Sequence, residues 1–193
     1  MSTGGPIAAP DGGLRCPWAL SAAEYLDYHD HEWGRPAHGD DPLFERLTLE
    51  AFQSGLSWLT ILRKREAFRA AFEGFSIETV AAYGRADTER LLADPGIVRN
   101  RAKVAAAITN ARAALQIPGG LDALLWSFAP DGSSRPTPRT LRDVSAVSPE
   151  SAALAKELKR RGFVFVGATT MYATMQSTGM VDDHLAGCIA RGS

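Results

Sequence analysis

At 193 residues the chain can bury one sizeable core, or two small ones sharing an interface. Its 45% hydrophobic and 22% charged residues are ordinary globular values, and no apolar run is long enough to span a bilayer, so composition points away from a membrane-spanning protein. A net charge of −1 speaks against a domain dedicated to phosphate, but residues 1–50 hold 3 basic and 9 acidic side chains, which leaves 18 basic against 13 acidic beyond them.

Met1 to Gly13 is rich in Gly, Pro and small residues and lacks the positive start and apolar stretch of a signal peptide; it reads as a disordered tail before a body of residues 14–193. From Ser21 a short helix is expected, with Ala22, Tyr25, Leu26 and His29 at helical spacing, carrying Tyr25 and Tyr28 toward a polar loop over Asp30 to Asp40. Asp41 is a candidate cap for the next helix, on which Leu43, Phe44, Leu47 and Ala51 recur every three or four residues. Glu50 falls on the same face, where a hydrophobe is expected. A carboxylate there is either used, or it pairs with a nearby arginine or tilts out to water.

Gly55 is a natural stop, and Ser57 can cap a second helix bearing Trp58, Ile61, Leu62, Phe68 and Phe72. Leu56 is left at the tip of the turn between them, where it either folds back onto the preceding turn or serves as a wedge between base steps. Ser76 and Asp87 are candidate caps for two further short helices. Asp94, Pro95 and Gly96 then break the chain before a helix from about Arg99 to Leu115.

Such a helical hairpin, about residues 87–115, can offer a helix N-terminus to a phosphate with Gly96, Arg99, Arg101 and Lys103 beside it. A tight turn between two helices also contains a glycine for purely steric reasons. A short apolar helix over Leu121 to Phe128 and another opened by Ser148 and Pro149 follow. Phe163 to Val166 has strand propensity without a partner run, so buried irregular chain is expected there, leading into a last helix that ends at Gly179.

Cys16 and His29, with His184 and Cys188 one helical turn apart at the other end, make a complete two-Cys, two-His set for a structural zinc ion. The bland alternative is two buried thiols and two ordinary histidines. The absence of a secretion signal favours a reducing cytoplasm over a disulfide.

Together RCPW at Arg15, YHDHEWG from Tyr28, LEAFQSGLSWLTILRKRE from Leu49, DPGIVRNRAK from Asp94, WSF at Trp126, LKRRGFVFVGATTMYATMQSTGMVDDH from Leu158 and the closing HLAGC resemble the 3-methyladenine DNA glycosylase I family, from Arg15 to Cys188. The resemblance implies an all-α helix-hairpin-helix glycosylase fold and a structural Zn2+ on Cys16, His29, His184 and Cys188 that clasps the two ends. It implies a pocket in which ionised Glu50 contacts 3-methyladenine while Tyr25, Tyr28 and Trp58 line or stack on it, with Leu56 entering the DNA at the lesion.

The implied partner is alkylated double-stranded DNA, met by a monomer that needs neither a membrane nor a nucleotide cofactor. The family lacks the catalytic aspartate of most helix-hairpin-helix glycosylases, so Asp131 stays a turn residue. Ala51, Phe52 and Ala168 depart from the family pattern and are expected to reshape the pocket edge. Two competing readings remain: a zinc-stabilised helical DNA-binding module without catalysis, and a glycosylase for another alkylated base.

Overall fold

The computed structural model describes residues 4–132 and 135–192. Within them nine α-helices build the main core, a smaller buried cluster gathers Cys16, Leu185, Cys188 and Ala190, and one short antiparallel ribbon lies at the N-terminus. Among the described residues no helix is long and apolar enough to cross a membrane.

The hub is α2, Asp40–Gln53, which touches α3 (Trp58–Ala71), α4 (Ile77–Ala82), α6 (Arg101–Ala114), α7 (Gly120–Trp126) and α9 (Ala168–Ser177). Its apolar residues spread beyond one stripe because it is covered on nearly every side: Leu43, Phe44, Leu47, Leu49 and Phe52 are all fully buried. Phe52 packs edge-on against Phe68 at 4.8 Å, and the Phe72 and Phe75 rings stack at 5.3 Å. Phe52 therefore belongs to this core and not to a pocket edge.

The predicted helix starts hold with two changes. Ser57, Ser76 and Ser148 cap α3, α4 and α8 (Pro149–Arg160) by accepting from Thr60, Thr79 and Ser151 N–H groups. Asp41 does not cap its own helix, which begins after Gly39; its carboxylate instead accepts from Ile77 N at 2.9 Å and satisfies the first turn of α4. Asp87 lies inside α5, Arg85–Ala93, and accepts from Gly84 N at 3.0 Å, so that helix starts earlier than expected.

The N-terminal segment departs from the expected tail. Ile7–Ala8 pairs with Leu14–Arg15, and Leu14 O accepts a further bond from Ile189 N, which ties the ribbon to the C-terminus. The cause is charge: the buried Arg15 guanidinium holds Asp11 at 2.7 Å and Asp30 at 2.9 Å, an arrangement invisible to composition. Met1 to Thr3 lie outside the described residues.

Phe163 to Val166 is irregular, as expected, but only Phe163 and Val166 are buried. Asn110 of α6 grips the Val164 backbone at both ends, donating to its carbonyl at 3.0 Å and accepting from its N–H at 2.8 Å. One side chain thus replaces the missing partner strand.

Two elements that wall the site are interlocked. The chain leaving α1, Ala23–His31, runs over the end of α9, where Gly34 N donates to Gln176 O at 2.9 Å and Ala37 N to Thr178 O at 3.0 Å. Gly179, at φ +71, lies so close that an added Cβ would stand 2.2 Å from the Arg35 carbonyl carbon.

Candidate functional site

Where α1, α2, α3 and α9 converge, a cleft of about 370 Å³ opens. Trp18, Tyr25, Tyr28, Trp33 and Trp58 form its aromatic walls, and Glu50, Gln53, Gln176 and Asp183 supply polar groups. Trp18, on a 3-10 turn over Pro17–Ser21, meets Tyr25 edge-on at 5.6 Å and Trp33 at 5.1 Å. Tyr28 and Trp58 lie 5.4 Å apart. Tyr25 is fixed by its hydroxyl oxygen, which accepts from Leu59 N at 2.9 Å and so joins α1 to the first turn of α3.

Glu50 is 6% exposed and makes no ion pair among the described residues. Arg46, one turn earlier and the natural partner on a bland reading, gives its Nη2 to Glu32 at 2.9 Å, and Arg65 completes that pair at 2.6 Å. Burial pushes the Glu50 carboxyl up to about 8, against smaller opposing effects of the Ser177 hydroxyl and the Arg46 charge. Burial thus opposes ionisation of Glu50 in the free cleft, and a positively charged partner would favour it. Burial, and then the Glu50 charge, also raise the Tyr28 phenol well above its usual range, so it stays neutral.

A second hollow of about 340 Å³ shares Glu50, Gln53 and Ala173 with the cleft and ends at Gly55 and Leu56. Leu56 is 42% exposed at the turn tip, and Gly55 takes φ +81 there. Leu56 is thus not part of the buried core.

The hairpin residues divide. Arg99 and Arg101 are exposed, and no ion pair involves them among the described residues. Gly96 is not open to a phosphate: its N–H donates to Asp94 Oδ1 at 2.7 Å, its carbonyl accepts from Lys64 Nζ at 3.1 Å, and an added Cβ would meet Ala67 at 2.9 Å. Lys103 is not a phosphate contact either, for its ammonium turns inward to the Phe52 and Ser54 carbonyls. Desolvation makes a buried lysine costly, and the carbonyl end of α2 is what offsets that cost.

At the opposite wall Cys16, His29 and Cys188 bring three donor atoms within 4.8 Å of one another, all buried. The His29 ring is oriented by Asp30 Oδ1 at 2.7 Å from Nδ1, which leaves Nε2 facing Cys188 Sγ at 3.5 Å. Leu185 N points at Cys16 Sγ at 3.4 Å. The mutual contact of the two thiols lowers the pKa of Cys188 and raises that of Cys16, as when one sulfur holds the charge for both. His184 lies beside the trio, its ring 4.7 Å from that of His29, but Nδ1 is bound to Asp182 at 2.8 Å and Nε2 faces His29 O at 3.3 Å. Of the four expected ligands, Cys16, His29 and Cys188 converge, while His184 stands beside them with both ring nitrogens engaged elsewhere.

Trp18, Trp33, Gln53, Gln176 and Asp183 line the cleft without having been singled out beforehand. Asp183 is buried and accepts from Tyr172 Oη at 2.7 Å, Gln176 Nε2 at 2.9 Å and Arg135 Nη2 at 2.9 Å. Trp18 and Trp33 sit inside motifs already noted, next to Cys16 and His29, and that adjacency was the available signal. Asp131 is not among the lining residues.

The chain matches the methyladenine glycosylase family over residues 18–191. It is 44% identical over 177 residues to DNA-3-methyladenine glycosylase 1 of Escherichia coli (strain K12), covering 90% of this chain and 95% of that protein. To the DNA-3-methyladenine glycosylase of Haemophilus influenzae it is 42% identical over 182 residues, covering 93% and 98%. The fold superposes on a crystal structure of a 3-methyladenine DNA glycosylase I variant in complex with 3-methyladenine, with a TM-score of 0.87, 35% identity and coverage of 93% of this chain and 98% of that one.

Proposed function

The chain belongs to the methyladenine glycosylase family, and we propose that its aromatic cleft receives 3-methyladenine swung out of alkylated duplex DNA and holds it while water cleaves the N-glycosyl bond. The observation that carries this reading is Glu50, buried and without a salt bridge among the described residues, facing the same cleft as Tyr28 and Trp58.

Methylation at N3 makes the base cationic and a good leaving group. The base departs with the glycosidic electron pair as neutral 3-methyladenine, water supplies the new oxygen at the sugar carbon, and its proton passes to solvent. Little acid catalysis is required, so the work lies in extracting and holding the base. Aromatic faces attract a cation more than a neutral purine. The positive base also pulls Glu50 into its ionised form, which then accepts from the exocyclic amine and adds Coulomb attraction. Normal adenine offers the amine without the charge and leaves Glu50 protonated.

Leu56, exposed where the second hollow ends, is the wedge that fills the space vacated by the base. In this reading α5 and α6 act as the helix-hairpin-helix unit, and the first turn of α6 with Arg99 and Arg101 takes a DNA phosphate. The enzyme works as a monomer in the cytoplasm.

The Cys16, His29 and Cys188 donors suit a zinc ion in type, burial and orientation, with His184 adjacent as the fourth ligand. Bound there, the ion supplies folding energy and no chemistry, and it ties the N- and C-terminal segments beside Trp18.

The test is chromatographic measurement of free bases released from methylated duplex DNA. Release of 3-methyladenine supports the reading. Release of a different alkylated base would reassign the chamber, and binding without release would reduce the protein to a DNA-binding module.

A further inference from the structure

We infer that Lys103 is a positioning residue that ties the hairpin to the Leu56 turn, so that a duplex gripped by α6 meets Leu56 in a fixed register. This rests on the reading of the cleft and turn given above.

Lys103 is the third residue of α6, in the same turn as exposed Arg101, yet it is 7% exposed. Its Nζ donates to Phe52 O at 2.7 Å and Ser54 O at 2.5 Å, carbonyls about fifty residues away in sequence. Those oxygens end α2, where carbonyls have no intrahelical partner and the helix dipole is negative. Burial lowers the Lys103 pKa with no carboxylate acting against it, so these carbonyls hold the ammonium unaided by an anion.

The turn they belong to is short. Leu56 N donates to Gln53 O at 2.6 Å, Gly55 turns the chain at φ +81, and Leu56 projects from it. Glu50 stands one helical turn before Ser54 on the same helix end. One ammonium therefore spans the structural gap between the arginine-bearing turn of α6 and the segment that carries both Leu56 and Glu50. An exposed lysine at this position would add a phosphate contact but would leave the wedge turn unanchored.

A double-mutant cycle reads this coupling. Lys103→Met, Leu56→Ala and the double variant are compared in single-turnover release of 3-methyladenine from duplex DNA, with free 3-methyladenine binding followed by tryptophan fluorescence. Lys103→Met should slow duplex excision roughly tenfold, as a displaced positioning element does, and leave free-base affinity within about twofold. In the Leu56→Ala background the same change should cost almost nothing, and Lys103→Arg should recover part of the loss. An equal cost in both backgrounds, or a parallel loss of free-base binding, would overturn the inference and leave Lys103 a general stabiliser. Should Lys103→Met fail to fold, Lys103→Gln, which keeps one donor for these carbonyls, runs the same cycle. A wild-type protein that released no base would overturn the reading of the site instead.

Discussion

With the Glu50 carboxyl held at about 8 in the free cleft, roughly a tenth of the molecules carry the charge at pH 7, and ionising the rest costs about 1.4 kcal/mol. If the cationic base is held by the carboxylate, that cost appears in kcat/KM, which reports ionisations of the free enzyme. Excision from N3-methylated duplex DNA should therefore rise about tenfold per pH unit between roughly pH 6 and 8 and level off above.

Glu50→Gln keeps shape and hydrogen bonding but cannot ionise. Its profile should be flat, and at pH 8 its rate should lie about a hundredfold below wild type, the size of a charged hydrogen bond. The same shift fixes the sign for stability. Because the folded value lies above the ordinary 4.5, the contribution is fully present below about 4.5 and is lost as pH rises through about 8. Thermal unfolding of the free protein should thus show a decline over that window that Glu50→Gln lacks. A wild-type kcat/KM that does not change between pH 6 and 8, or an identical slope in Glu50→Gln, would refute the reasoning.

Leu56→Ala should leave the melting temperature and free-base binding nearly unchanged, since the side chain is exposed, but should lower duplex excision roughly tenfold; an unchanged duplex rate would remove the wedge. Cys188→Ser should abolish bound zinc, measured by elemental analysis, and lower thermal stability; wild-type protein purified without zinc in the first place would defeat the clasp. Gly179→Ala should destabilise by about 3 kcal/mol or more in urea unfolding, because its Cβ would stand 2.2 Å from Arg35 backbone; a loss below about 1 kcal/mol would mean the α9 interlock yields easily.

Much of the site was legible because it rests on local rules. Serine caps, glycine stops and three-and-four spacing placed α2 and α3, and with them Glu50, Leu56 and Trp58, at the right ends of the right helices. Glu50 stood out as an acid on an apolar face, and it lines the cleft. The hairpin was recognisable as a shape, but its contacts were not. Arg99, Arg101 and Lys103 look alike in sequence, and only the nearby end of α2 turns one of them inward.

What the sequence by itself determined is where most helices lie, which face each helix buries and where an acid stands on an apolar face, since these follow from spacing and composition within about fifteen residues. Tertiary structure alone decided how those pieces face one another. It placed Arg46 on Glu32 and left Glu50 without an ion pair among the described residues, lined the cleft with Trp18, Gln176 and Asp183 from other segments, and folded the N-terminal residues into a ribbon through Arg15. Each outcome depends on desolvation and charge pairing between groups on different elements, energies that do not exist until the core has brought those elements together.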